Sequence, residues 1–252
     1  LLSYQIEDSE FEILEGEVDS SVLLIENIGE EGSLLYYSVS TAYPDIESPF
    51  DITGGGPDSY GYFWSDSDLS NEIDYTWTDI SDEGTQVSFS TNDASTQQID
   101  IGFDFPFYGD IYSNFIINAN GWIGFGEDNS EWYNANIPSP NYPRPAIFGF
   151  WDDLNPVNDN CNATCLGNVY YHSNSDRLVV WFNNVAHWAG EGFENSFYDF
   201  QIVVYPDGDI DININSIEGN YTSTVGMQDG SGTIASQIDV YDGNYFNDNM
   251  SI

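Results

Sequence analysis

The strongest constraint on the fold is a run of strict alternation. Ile99, Ile101, Phe103 and Phe105 fall on one side of an extended chain, and Asp100, Gly102 and Asp104 fall on the other. Successive side chains of a strand point to opposite faces, so this period of two marks a strand with one buried face. The same texture recurs at short intervals, cut by turn residues. Residues 115–118 and 122–125 flank Asn120-Gly121, a pair suited to the left-handed backbone of a tight hairpin. Residues 169–172 reverse at Asn174-Ser175-Asp176 into 178–182, and residues 198–205 reverse at Pro206-Asp207-Gly208 into 209–214. In that last arm Ile210, Ile212 and Ile214 are predicted to face a core, and Asp209, Asp211 and Asn213 to form an acidic ladder facing solvent. Residues 225–228 and 237–241 read as the last strands. No apolar stripe with a period of about 3.6 residues has useful length. The expected fold is therefore all-β, an antiparallel two-sheet β-sandwich stabilised by face-to-face burial.

The first residues have a different texture. Residues 3–7, 11–14, 22–28 and 34–40 read as short strands, separated by Glu15-Gly16-Glu17 and Gly29-Glu30-Glu31-Gly32, which permit tight reversals. Their pattern, Phe-x-Ile-x-x-Gly-Glu followed by Leu-Leu-Ile-Glu-Asn-Ile-Gly and Leu-Tyr-Tyr-Ser-Val-Ser, resembles the small immunoglobulin-like modules of bacterial secreted proteins. Such modules need roughly 80 to 100 residues, and about half that number is present. The segment is thus an incomplete Ig-like β region or a set of strands completing the neighbouring sheet. Pro44, Ser48-Pro49 and Gly54-Gly55-Gly56-Pro57 mark a linker, because they lack side chains to bury and backbone donors for a ladder. The expected division is 1–52, a partial module with its linker, and 53–252, a β-sandwich domain.

Charge sets the environment. The 252 residues carry 43 Asp and Glu against two basic residues, Arg144 and Arg177, for a formal net charge of −41. Such a surface repels nucleic-acid phosphates and anionic lipid heads, which argues against both as partners. It also repels itself, and salt, screening over about 8 to 10 Å, or bound divalent cations relieve that strain. The chain is expected in seawater, brine or a calcium-rich extracellular medium, the setting of a marine or halophilic protein. With 40% hydrophobic and 16% aromatic residues there is ample material for a core, so disorder is not expected over most of the chain. No apolar run reaches the roughly 18 residues of a membrane-spanning helix. The sequence opens at Leu1 with no basic leader or apolar signal core, as expected of a piece processed from a longer secreted protein.

Cys161 and Cys165 are the only cysteines. Their spacing within a polar loop suits a small disulfide clamp in an oxidising compartment, with free thiols as the alternative. A zinc site would need further ligands, and His172 and His187 have no matching spacing. Asn162-Ala163-Thr164, Asn220-Tyr221-Thr222 and Asn249-Met250-Ser251 are formal glycosylation sequons.

The candidate site is the exit of one apolar run. Residues 146–151 lead directly into Asp152 and Asp153, followed by Asn155, Asn158, Asp159 and Asn160. Ca²⁺ takes six to eight oxygens from carboxylates, Asn carbonyls and loop backbone, and this stretch is rich in all three. It lacks the EF-hand spacing, since Val157 stands where a ligand is required. The alternative is a solvated loop. Asp66 and Asp68, with Asn71, Glu72 and Asp74, form a second candidate cluster, and Asp207, Asp209 and Asp211 a third, spaced about 7 Å along one strand face. Signs of catalysis are thin. Gly230-Ser231-Gly232 lacks the strand-to-helix setting of a nucleophile elbow, the glycines 121, 124 and 126 sit in a hairpin, and both histidines read as packed or edge residues, so no enzyme is expected. Among the aromatics, Trp151 and Trp181 lie in apolar strands. Trp132 and Tyr133 lie in a polar loop and are the candidate contact for a sugar ring or a partner.

Four segments, taken in order, carry a wider resemblance: Ile101-Gly-Phe-Asp-Phe-Pro-Phe-Tyr-Gly, Asn118-Ala-Asn-Gly-Trp-Ile-Gly-Phe-Gly, Ala146-Ile-Phe-Gly-Phe-Trp-Asp-Asp-Leu and Gly167-Asn-Val-Tyr-Tyr. Together they resemble the nidogen-like β-modules of extracellular proteins, most closely the acidic kind found in secreted proteases and surface proteins of marine, type 9 secreting bacteria. The resemblance implies an accessory, non-catalytic module used in adhesion or substrate contact. The resulting expectation is an extracellular or cell-surface structural module of a larger protein, stabilised by Ca²⁺. Its partners would be other domains of the same polypeptide, a cell-surface or matrix polymer, or neighbouring copies of itself. The alternatives are a carbohydrate-binding accessory domain of a secreted hydrolase, using Trp132 and Tyr133, and a self-assembling filament subunit joined by strand addition.

Overall fold

The computed structural model describes residues 2–6, 23–27, 54–70, 73–126, 130–157, 167–188, 192–240 and 245–252. The chain forms two compact units, Leu1–Ile46 and Glu47–Ile252. In the first, β1 (Leu2–Ile6) and β2 (Leu23–Asn27) pair antiparallel, with Leu2 opposite Asn27 and Ile6 opposite Leu23.

Two antiparallel sheets build the second unit. One is ordered β17 (Met250–Ser251), β14 (Ile210–Glu218), β13 (Phe197–Val204), β12 (Leu178–His187), β11 (Asn168–Ser173) and β5 (Thr85–Gln86), and β10 (Leu154–Asn155) also pairs with β12. The other is ordered β16 (Ala235–Val240), β15 (Thr224–Gln228), β9 (Ala146–Trp151), β8 (Trp122–Gly124), β7 (Asp110–Asn118) and β6 (Ile99–Phe107). A short hairpin pairs β3 (Gly54–Gly55), from the glycine-rich stretch, with β4 (Trp64–Ser65). Each hairpin read from the sequence is present: Asn118 lies opposite Trp122, Ser173 opposite Leu178, and Val204 opposite Ile210.

The inner faces of the two sheets meet in one core. Ile101, Phe105, Ile117 and Phe150 of one sheet pack with Phe182, Phe200, Ile202 and Ile214 of the other. The alternation that defined β6 is the cause on its side: Ile101 and Phe105 are buried, while Asp100, Gly102 and Asp104 are exposed. β9 breaks the alternation because both of its faces are covered. Phe150 turns inward, and Phe148 and Trp151 pack outward against Trp122, Ala135 and Ile137. The sheets come so close that a Cβ at Gly149 would lie 2.4 Å from the Ile202 side chain. Gly121 serves the same crowding from the hairpin side, with a φ of 84° and a would-be Cβ 2.0 Å from the Phe150 carbonyl oxygen.

One expectation is corrected here. The polar face of β14 is no open acidic ladder: Asn213 is buried and Asp211 is half-buried. Residues 75–80 lie over this side of the sheet. Thr78 exchanges hydrogen bonds with the Gln201 amide, Trp77 meets Trp181 edge-on at 5.9 Å, and Ile80 packs on Val179 and Val203. The apolar surface offered by Ile80 and Trp77 draws the segment down, and the polar side chains beneath are paired: Asn213 accepts from Ser251 and Thr76, and Asp211 accepts from the Tyr205 hydroxyl at 2.7 Å.

Candidate functional site

β9 runs out of the core into Asp152 and Asp153, and the two neighbouring acids meet opposite fates. Asp152 is buried and its carboxylate is satisfied by the protein. It accepts from the Thr222 amide at 2.8 Å, the Asp153 amide at 3.0 Å and the Thr222 hydroxyl at 3.3 Å. His187, at the end of β12, brings Nε2 to 3.4 Å from the same carboxylate, while its Nδ1 lies 2.7 Å from the Trp188 carbonyl oxygen. Both ring nitrogens face acceptors, so the imidazolium, which donates from both, is the form this geometry satisfies. Burial pushes the His187 pKa down, but the hydrogen bond and charge of Asp152 outweigh it, and the net shift is upward. Phe193 stacks on the ring at 4.0 Å and completes the enclosure.

Asp153 has no such set of donors. Its backbone carbonyl accepts from Trp188 at 2.7 Å, yet its Oδ1 is buried with no hydrogen-bond partner. Burial pushes its carboxyl up to about 6; the His187 charge opposes this, and the charges of Asp93 and Asp152 add to it. A neighbouring polar shelf fixes the loop. Asn118 Oδ1 accepts from the Asn120 amide, Asn120 Oδ1 accepts from the Leu154 amide, both at 2.9 Å, and Asn120 Nδ2 reaches Asp93 Oδ1 at 3.4 Å. Sequence reasoning saw only a hairpin in these asparagines. It missed Asp93 and Thr222 as well, since neither is near Asp153 in the chain.

Asn155 is buried in β10 beside this site, while Asp159, Cys161 and Cys165 lie outside the described residues. Asp66 and Asp68 are far from Asp153 in the chain and are used differently. The buried Asp66 carboxylate caps a turn, accepting from the Asp68 and Leu69 amides at 2.9 and 2.8 Å and from the Tyr245 hydroxyl at 2.6 Å. Asp68 accepts from Asn247 Nδ2 at 2.6 Å. Among the described residues, no three His, Cys, Asp or Glu side chains converge as a metal-binding group.

Trp132 and Tyr133 are 45% and 56% exposed, with ring centroids 5.6 Å apart and planes at 84°. Their loop is firmly held. Glu131 takes hydrogen bonds from the Tyr133 amide and the Trp151 indole, and the buried Asn134 donates to the Thr222 carbonyl and to Thr224 Oγ1. Thr222 therefore joins the aromatic pair to Asp152.

A family model described as NIDO related matches residues 69–245, a span that includes both sheets from ahead of β5 to just past β16. No curated protein and no solved structure matches the chain.

The two shifted groups give a pH dependence with a definite sign. Asp153 binds its proton more tightly folded than unfolded, so stability falls as pH rises from about 4 to about 6. His187, also raised, contributes stability that is complete below about pH 6.5 and is lost as pH climbs through its folded value. In cation-free buffer at fixed ionic strength, Asp153→Asn is expected to be more stable than wild type at neutral pH, by about 1–2 kcal/mol after solvent screening of a part-open group. His187→Gln is expected to flatten the loss at higher pH. Urea denaturation across pH checks both, and an Asn variant no more stable than wild type at neutral pH contradicts the assignment.

Proposed function

We propose, given that this chain belongs to the NIDO-related family, that it is a non-catalytic extracellular module, a structural or adhesive part of a larger secreted or cell-surface protein, stabilised by Ca²⁺. The all-β architecture and the net charge of −41 support an extracellular role in a cation-rich medium. The non-catalytic reading is supported at this site by His187, whose two nitrogens are both engaged and whose ring is covered by Phe193.

The observation that carries the cation reading is the buried, unpartnered Oδ1 of Asp153, set near the charges of Asp93 and Asp152. A hard divalent cation is the partner that such an oxygen accepts most readily, and its charge offsets the mutual repulsion of the three carboxylates. Asp153 is the ligand in this reading, and Asp152, occupied by Thr222 and His187, is a positioning residue. Asp66 and Asp68 already accept protein donors and add little to it. Wild type is expected to melt several degrees lower in excess chelator than in Ca²⁺ at matched ionic strength, and Asp153→Asn to lose most of that difference. A wild-type melt unchanged by chelation sinks the calcium part.

A second reading has its own support in Trp132 and Tyr133. Two aromatic rings held exposed on a braced loop suit stacking against the apolar face of a sugar ring. The net charge repels sulfated and uronic polymers, so a neutral glycan is the favoured ligand. Titration with neutral marine polysaccharides is expected to change tryptophan emission in wild type and not in W132A or Y133A. A flat response across neutral and anionic panels removes this reading.

A further inference from the structure

Where β14 begins, the two sheets of the sandwich part and leave a cavity of about 470 Å³. Ile210, Ile212 and Ile252 form one wall, and Ile147, Met227 and Ile238 the other. These residues belong to the core cluster or pack against it, so the cavity borders the core. Tyr62, Phe63 and Trp64 lie over it, with Phe63 38% exposed. Its volume falls within the range of roughly 300 to 1,000 Å³ in which proteins hold small molecules.

The rim is acidic. Asp74 and Asp209 border the cavity and are exposed, and the charge of Asp209 reaches the Tyr62 hydroxyl. Asp211 borders it too, with its Oδ2 engaged by Tyr205. Neither Arg144 nor Arg177 is among the lining residues. Apolar walls reward burial of an apolar body, and carboxylates at the mouth reward a cationic head and reject an anionic one. An acidic surface also concentrates cations near the entrance.

We propose that this cleft is a binding site for small amines with an apolar tail, the tail between the two isoleucine-rich walls and the ammonium at Asp209 and Asp74. The site is separate from Asp153 and from the Trp132–Tyr133 pair, and it stands whether or not either of those readings does.

Three probes of equal chain length, octylamine, octanol and octanoate, separate the contributions of tail and head. In isothermal titration at physiological salt, octylamine is expected to bind with one-to-one stoichiometry, octanol about tenfold more weakly, as one charge-assisted contact would give, and octanoate not measurably. Asp209→Asn combined with Asp74→Asn, both at exposed positions, is expected to bring octylamine down to the octanol level without changing the melt. Ile238→Trp is expected to fill the cavity and abolish binding. Octylamine binding that exceeds one equivalent and persists in Ile238→Trp would show adsorption to the acidic surface and overturn the proposal. Equal affinity for octylamine and octanol, or no binding by either, would overturn it as well, and these results can be read from wild type and the Asn variant even if Ile238→Trp does not fold.

Discussion

The structure depends on one contact between sheets. Gly149 and Phe150 of β9 meet Ile202, Phe200 and Tyr198 of β13, with the Phe150 ring 4.6 Å from Tyr198 and 5.6 Å from Phe200. Tyr221 and Phe246 close on the same ring at 5.3 and 5.7 Å. Full burial of one such side chain contributes about 1.5–3 kcal/mol, and a cluster of this kind works against the repulsion within so acidic a chain. The contact also sets direction. With Phe150 fixed inward and Trp151 outward, β9 leaves the core where β12 ends, and Asp152 meets His187.

A chain with 43 acids and two arginines has few cations to pair with the carboxylates it takes into the fold. His187 serves Asp152, and other carboxylates rely on neutral donors. Asp58 accepts from the amides of Tyr60, Gly61 and Tyr62 and from the Tyr108 hydroxyl. Asp199 accepts from the Trp181 indole at 2.7 Å and from Asn215 at 3.0 Å. Asp229 draws together the loop that follows it, through Ser231, Thr233 and Ile234; burial opposes its ionisation, these hydrogen bonds outweigh burial, and its pKa ends below the usual carboxylate range. The aromatic excess thus has a second use beyond the core, because tyrosine and tryptophan carry donors to places where lysine and arginine are lacking. Asp153 departs from this pattern, and the proposal of a bound cation rests on that departure.

Much of the architecture was legible because strands announce themselves locally. The alternation in β6, the Asn-Gly of the β7–β8 hairpin and the apolar run of β9 each depend on neighbours in sequence. The segment 75–80 was not legible as a cover for β13 and β14, because a chain lying flat on a sheet imposes no period on itself. The split between Asp152 and Asp153 was equally invisible. Two identical adjacent residues differ only through Thr222, seventy positions away, and His187, thirty-five away. The sequence located the acidic exit of β9, and distant donors decided which carboxylate they would leave without a partner.

The central claim, that Asp153 anchors a bound cation, is tested most directly by anomalous diffraction from crystals grown in Ca²⁺. The account predicts a calcium peak about 2.3–2.6 Å from Asp153 Oδ1, lost in the Asp153→Asn protein. A well-ordered Asp153 with no peak beside it, or peaks confined to other carboxylates, would contradict it.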